Sequence, residues 1–497
     1  MKKVLVANRG EIAVRIMKTC REMGLSTVAV YSDVDRAALH VSYADEAYRL
    51  GPGPATESYL RTDAILEVAR RAGADAIHPG YGFLSENATF ADACVSAGIT
   101  FIGPPASAMR TLGSKTKARQ AADLSGMPRV PGSVKGLSSV EEAIATASQI
   151  GYPVMLKAAA GGGGKGMRAV WTQAELPSAY VGASSEAERS FGSGEVYLEK
   201  LIQCPRHIEI QVIADVHGNC LYLGERECSV QRRHQKVIEE APSAVVGEDL
   251  RRKMGEAAVR LALSAGYVNA GTVEFLLDAD QNFYFLEMNT RLQVEHPVTE
   301  LITGLDLVEM QLHVAMGQKL RLRQDEVQLR GHAIECRIYA EDPDNNFLPS
   351  PGKITRLLQP SGPGVREDCG VYEGWNVPLE YDPMLSKLIT YAGTREAAIA
   401  RMLRALDDYV IGGIRTNLGL FRRILSDSDF RSANIDTGYL DRLLSQIAAN
   451  KEGCVPEHII ALAAVILSER REKVRTSSAV AHASRWKSAG RSQGLRA

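Results

Sequence analysis

The chain has no paired cysteines, no long apolar run and no excess of either charge. Its eight cysteines are scattered over 497 residues and none forms a CxxC pair. That excludes the common zinc and disulfide frameworks and fits reduced thiols in a cytoplasmic protein. No stretch is long and apolar enough to span a bilayer, and the run after Met1-Lys2-Lys3 is too short for a signal peptide. With 58 basic and 59 acidic residues the net charge is -1, so no whole-chain field recruits nucleic acid or membrane. Asn8-Arg9-Gly10 carries a single glycine; without GxGxxG a dinucleotide site is disfavoured. Gly164-Lys165 is followed by Gly166 rather than Ser or Thr, so the glycine run is not a P-loop. Internal repeats and low-complexity tracts are absent.

What is present is an ordinary apolar and charged content, 45% and 24%, in a chain long enough for two to four domains. The first hundred residues alternate expected strands (Val4–Ala7, Thr27–Tyr31, Ala74–His78, Ile99–Ile102) with expected helices (Glu11–Met23, Tyr59–Arg71, Ala88–Ala97). Such alternation implies a doubly wound parallel sheet. Next come a helix at Ser138–Ile150 and a strand–loop–strand flap, Pro153–Ala158 and Met167–Trp171 around four consecutive glycines. Its bare amides suit phosphate oxygens or form a mobile surface hairpin. Expected strands follow at Val196–Leu201, His207–Ala214 and Cys220–Gly224, with helices at Glu248–Ala265 and Leu305–Met316. A Pro/Gly-rich α+β region begins at Gly331–Tyr339.

Candidate chemistry centres on a hairpin, Thr272–Leu277 and Phe283–Met288, with Asp278–Asn282 as its turn. Pairing Asp278 with Phe283 sets Glu274 opposite Glu287. Like charges there are destabilising unless a cation bridges them. With Asn289 on the same face as Glu287, the oxygens suit Mg²⁺; the plain alternative is two solvated glutamates. If the chain stays extended, Asn289, Arg291, Gln293 and Glu295 share one face, where Arg291 suits a planar oxyanion and Glu295 a general base. Lys157 ends an apolar strand and needs a partner, either a phosphate or a carboxylate. Lys115 sits on an expected helix. Glu199-Lys200-Leu201-Ile202 is either an amphipathic strand or a backbone edge facing adenine. Gln231–Lys236 is a solvated basic loop or an anion cradle. Alternation puts Glu335, Arg337 and Tyr339 on one face, where a Glu335–Arg337 pair is one reading.

Taken in order, several strings resemble the biotin carboxylases of the ATP-grasp superfamily. They are Ala7–Ala13, His78–Asn87, Gly161–Met167, Arg232–Lys236, Glu287–Arg291 through His296-Pro297, and Glu335–Glu341. The resemblance covers residues 1–445. It implies an N-terminal domain over 1–113, an ATP-grasp domain over 114–330 with a lid near 131–203, a C-terminal domain over 331–446 and an extension over 447–497. It further implies that Lys115, Lys157, Gly163, Gly164, Glu199, Lys200, Leu201, Ile202, His207 and His234 hold ATP. Glu274, Glu287 and Asn289 would bind two Mg²⁺ or Mn²⁺ ions. Lys236, Arg291, Gln293 and Val294 would bind bicarbonate, and Glu295 would deprotonate it. Arg337 would stabilise the biotin enolate, with Tyr81 near the ring.

The implied activity is ATP-dependent carboxylation of biotin through carboxyphosphate, the first half-reaction of an acetyl-CoA, propionyl-CoA or pyruvate carboxylase. No Met-Lys-Met occurs, so a biotin carboxyl carrier protein and a carboxyltransferase are expected as separate partners, with a homodimer as the family's usual state. Ala159-Ala160 stands where many relatives have Ser-Gly, and one extra residue is expected in the hairpin turn. Beyond Lys451, His458–Val474 reads as an amphipathic helix followed by a basic tail, a candidate docking segment. The alternatives are another ATP-grasp ligase, such as one forming carbamoyl phosphate, and a nucleotide-binding assembly or regulatory subunit without turnover.

Overall fold

Lys3–Val6 buries Val4, Leu5 and Val6 completely, as a central parallel strand must. Around it a five-stranded sheet runs in the order Glu46–Gly51, Ser26–Ser32, Lys3–Val6, Ala76–His78, Thr100–Phe101, every neighbour parallel. Helix Gly10–Glu22 lays Ile12, Ala13, Ile16 and Met17 into the core, each full-sized side chain contributing roughly 1.5–3 kcal/mol. The edge strand Glu46–Gly51 was not expected; only Gly51 in it is buried, so the apolar signal is weak. In this computed structural model residues 1–133, 135–158 and 167–451 are described. The flap with Ala159, Ala160, Gly163 and Gly164, and the expected helix His458–Val474, lie outside the described residues.

The strand order reverses between Lys3–Val6 and Ala76–His78, and ligands of doubly wound sheets bind beyond the strand ends at that reversal. Two turns meet there. Asn8 Nδ2 donates to the carbonyls of Pro79 and Tyr81, both at 2.7 Å. Gly80, at φ +64°, leaves room for it: a Cβ there would stand 2.8 Å from Asn8 Nδ2.

An eight-stranded antiparallel sheet forms the second layer. Its order is Phe283–Asn289, Asn269–Leu277, Arg206–Ala214, Cys220–Arg232, Gln235–Ala241, His332–Tyr339, Met384–Ala392, Val365–Cys369. The expected boundary at 330/331 thus falls within one continuous sheet, since His332–Tyr339 pairs on both sides. Helix Glu248–Ser264 packs Met254, Ala257, Ala258 and Leu261 on it. Cys220–Arg232 runs eight residues past the expected end at Gly224. The continuation holds Glu225, Arg226 and Glu227, which look like a loop, but each is buried and paired: Glu225 with Arg251, Arg226 with Glu209, Glu227 with Ser243. Register shifts between Tyr222 and Glu225, around Gly224 at φ +85°, absorb the change.

A smaller sheet, Met167–Val170, Val154–Ala158, Val196–Lys200, is antiparallel and covered by helices Val140–Ile150 and Leu176–Phe191. Residues 1–440 form one unit; 441–497 form a second, described only through Lys451 at the end of helix Tyr439–Lys451.

Gly80→Ala should lower the thermal midpoint more than Gly98→Ala. Both adopt φ near +70°, a strain of about 1–2 kcal/mol for alanine. Only at Gly80 does the new methyl strike a neighbour, while Gly98 faces open space. Equal shifts in differential scanning calorimetry would show that the Asn8 contact carries no weight.

Candidate functional site

Arg206–Ala214 reads His-Ile-Glu-Ile-Gln-Val from His207, and its alternation sends Ile208, Ile210 and Val212 to the core and His207, Glu209 and Gln211 to the opposite face. Cross-strand pairing then builds a polar row. Glu287 lies opposite Glu274, Glu274 opposite Glu209, and Arg226 opposite Glu209. The Glu274–Glu287 pairing arises differently from the expected count. Leu277, not Asp278, pairs with Phe283, and a bulge at Leu286 restores the register before Glu287.

Lys236 closes the row. Its Nζ donates to Glu209 at 2.6 Å, Glu274 at 2.8 Å and Glu295 at 2.7 Å. The 231–236 segment therefore divides. Arg233 and His234, both at positive φ, form an exposed two-residue turn, Arg232 stacks on Phe347, and Lys236 turns inward to carboxylates distant in sequence. His234 and Lys236 thus part ways rather than forming a single cradle.

The stretch after Asn289 is not extended. The strand ends there, and Glu295, at φ -81° and ψ 11°, is the N-cap of helix His296–Thr303, with Pro297 in its first turn. A helix starting at once forces the chain to turn, so the expected one-face row does not form. The side chains converge nonetheless. Arg291 donates to Asn289 Oδ1 at 3.3 Å and Gln293 Oε1 at 3.1 Å, and Gln293 Nε2 reaches Glu274 at 3.5 Å. Arg291 also holds Glu86 at 3.0 Å, whose other oxygen accepts from the Thr290 amide. Arg337 donates to Glu239 Oε1 and to Glu295 Oε2 at 3.0 Å. The Glu335–Arg337 pair does not form: both Glu335 oxygens are buried without a hydrogen bond among the described residues.

These neighbours set the ionisation. Burial opposes charge on Glu274, but Lys236 and then His207 hold it below the usual carboxylate range. Against the same burial, Lys236, Arg337 and Arg226 hold Glu295 well below that range. Burial outweighs Arg337 at Glu239, which is pushed up to about 7. Desolvation and the charge of Glu274 raise Glu287, which has no ion-pair partner among the described residues. Glu287 is itself exposed to solvent. An acid pushed upward by a facing acid is a place where a hard cation fits, with Glu274, Glu287 and the Asn289 carbonyl oxygen as donors.

The remaining candidates lie on the small sheet and the switch-point turn. Lys157 Nζ meets Glu199 at 2.6 Å, and Arg119 shares that carboxylate. Of Glu199–Ile202, the amides of Lys200 and Leu201 already donate to the carbonyls of Pro131 and Pro153, and Lys200 Nζ holds those of Gly151 and Tyr152. Lys115 begins helix Lys115–Leu124; its side chain lies outside the described residues, as do Gly163 and Gly164. The Tyr81 hydroxyl donates to Glu11. Residues that the sequence reading left out, Glu209, Arg226, Glu239 and Lys387, complete the cluster. Glu209 was signalled by the strand alternation; the others depend on distant pairings.

Three family models match in series: "Biotin carboxylase, N-terminal domain" over residues 1–109, "Carbamoyl-phosphate synthase L chain, ATP binding domain" over 114–323, and "Biotin carboxylase C-terminal domain" over 335–442. The biotin carboxylase of Halalkalibacterium halodurans is 54% identical over 88% of this chain and 97% of its own. Biotin carboxylase 1 of Bacillus subtilis is 52% identical over 89% of this chain and 98% of its own. The crystal structure of the biotin carboxylase domain dimer of Hydrogenobacter thermophilus 2-oxoglutarate carboxylase, in complex with MgADP, ADP and bicarbonate, superposes with a TM-score of 0.84 at 46% identity, over 89% of this chain and 98% of that one. With half of its residues shared over nearly the full length of such relatives, this chain belongs to the biotin carboxylase family.

Proposed function

We propose that the chain carboxylates biotin on a carrier protein, using ATP and bicarbonate, as the biotin carboxylase subunit of a multi-subunit acetyl-CoA, propionyl-CoA or pyruvate carboxylase. The observation that carries this reading is the grip on Glu295: Lys236 on one oxygen at 2.7 Å and Arg337 on the other at 3.0 Å. Two cations and a carboxylate meet where a small planar oxyanion could replace one partner.

In this reading Lys115, Lys157, Gly163, Gly164, Glu199–Ile202, His207 and His234 hold the nucleotide. Glu274, Glu287 and Asn289 hold Mg²⁺ or Mn²⁺, which when bound neutralises charge between the β- and γ-phosphates. Lys236, Arg291, Gln293 and the Val294 backbone take bicarbonate. Glu295 as it stands is too acidic for an efficient base. Bicarbonate competing for Lys236 draws a cation from it, so substrate binding itself raises its basicity. Deprotonated bicarbonate attacks the γ-phosphorus, releasing ADP and forming carboxyphosphate. That breaks down to CO₂ and phosphate, and the phosphate takes the ureido proton of biotin. Arg337 stabilises the enolate, and Tyr81 lies beside the ring.

We further propose the division into 1–113, 114–330 and 331–446, a homodimer, a carrier protein and a carboxyltransferase as partners, and a cytoplasmic location. No helix among the described residues is long and apolar enough to cross a membrane. The name of the central family model favours one competitor, a ligase forming carbamoyl phosphate. The matches on both flanks, and Arg337 against Glu295, support biotin instead.

Purified chain with MgATP and bicarbonate should release ADP faster when biotin is added and not when ammonia is added. Stimulation by ammonia alone would transfer the assignment to the competitor, and no ADP release at all would support a regulatory chain without turnover.

Arg337→Ala should cut biotin carboxylation by about 100- to 1000-fold, the usual cost of an oxyanion donor, while leaving nucleotide affinity within error by calorimetry. Loss of nucleotide binding would misplace the residue.

Lys236→Met should destabilise the chain by about 3 kcal/mol near neutral pH, because it removes a cation shared by three buried carboxylates and leaves each with a single remaining partner. Glu274 and Glu295 have depressed folded-state values. Their contribution is therefore fully present above the ordinary glutamate range and lost as pH falls from there through the depressed folded-state values. The gap between wild type and variant in chemical denaturation should shrink as pH is lowered below the ordinary glutamate range; a gap constant with pH would mean that Lys236 acts by packing alone.

A further inference from the structure

Two cations face each other on adjacent strands behind the site. Arg337 of His332–Tyr339 is paired in register with Lys387 of Met384–Ala392. Like charges directly opposite in a sheet are unfavourable, and Lys387 is completely buried. Arg337 holds the Glu295 carboxylate. Lys387 holds the residue before it: its Nζ donates to the Val294 carbonyl at 2.7 Å, its shortest hydrogen bond. The carboxylates near Lys387 stand farther off, Glu11 at 3.5 Å and Asp368 at 3.8 Å. Buried His296 lies 2.8 Å through Nδ1 from the carbonyl of Gln293. Burial and the surrounding cations Lys387, Arg15 and Arg366 hold His296 well below its usual value, so it is neutral and donates from Nδ1.

Among the described residues the Val294 carbonyl has no backbone partner, and that of Gln293 has only the His296 amide of a turn, at 3.4 Å. Both are instead held from behind, while its front carries the Gln293 side chain towards Glu274 and the Glu295 carboxylate to Lys236. We propose that Lys387 is a positioning residue for the bicarbonate-binding segment: it fixes the peptide plane between Val294 and Glu295 and so aims the groups on either side of it into the site. Glu11, which the same ammonium faces, accepts the Tyr81 hydroxyl. One buried cation thereby joins the bicarbonate segment to the turn bearing Tyr81. The inference rests on the bicarbonate reading given above.

The test compares full-length wild type, Lys387→Met and Lys387→Gln in biotin-stimulated ADP release, titrating bicarbonate and MgATP separately. Met keeps the length without a donor; Gln keeps an N–H without a charge. The expected result is a rise in KM for bicarbonate on the order of tenfold or more for Met, as for other supporting-residue losses, with KM for MgATP within twofold and partial recovery in Gln. An unchanged bicarbonate KM, or equal rises for both substrates, overturns the proposal. If Lys387→Met does not fold, His296→Leu, which removes the ring donor from the neighbouring carbonyl, must show the same split. A wild type that releases no ADP with bicarbonate would sink the underlying function, and that outcome is separate from any behaviour of Lys387.

Discussion

An ammonium buried among three carboxylates constrains everything around it. Glu209 comes from one strand, Glu274 from its neighbour, Glu295 from a helix N-cap and Lys236 from a strand two places away. Taking any of these charges out of water alone costs several kcal/mol. Withdrawing Lys236 costs all three carboxylates a partner at once, so the four elements are held in mutual register. A slip of one residue in Asn269–Leu277 would turn Glu274 into the apolar layer and bring Val273 or Phe275 to the cleft. Arg226, completely buried, adds a second brace, with hydrogen bonds to Glu209, Gln211, Thr299 and Thr272. It ties the same row to helix His296–Thr303.

That lattice explains why the cleft does not hold a strong base in readiness. Glu295 is committed to cations, which hold its carboxyl well below the usual range. In the proposed mechanism this couples deprotonation to occupancy: the base becomes competent when the oxyanion takes its partner. The same Lys236 touches both Glu274 and Glu295, and so links the proposed metal and bicarbonate ends of the site.

Local patterns revealed what was local. The parallel alternation of the first hundred residues needed only periodicity and loop length, and the hairpin was marked by its turn. Its facing glutamates were found through a wrong premise, since the bulge at Leu286 offsets a connection one residue longer than counted. The extended row from Asn289 to Glu295 failed because Pro297 belongs to a helix that starts immediately. The expected strand Cys220–Gly224 stopped short of Glu225–Glu227, a charged run that ordinarily seeks water. Here each finds a partner at long range, and sequence spacing carries no trace of that. Glu209 was readable from its alternation with Ile208 and Ile210. The Lys387 contact was not, since 93 residues separate it from Val294.

The polar row has a direction, and the direction assigns its ends. At Arg226 and Glu209 the protein supplies its own neutralisation, by a fully buried guanidinium and by Lys236. At Glu274 Lys236 and His207 still contribute. At Glu287 the protein's cations run out, and the carboxylate is pushed upward by its neighbour. In the proposed reading, a cation that the fold does not provide is taken up at this outer end, where Glu287 is exposed. A phosphate chain reaching in from that side would then meet the metal first and the proposed bicarbonate partners second. The order of ligands along the row follows from where the protein's own positive charge stops.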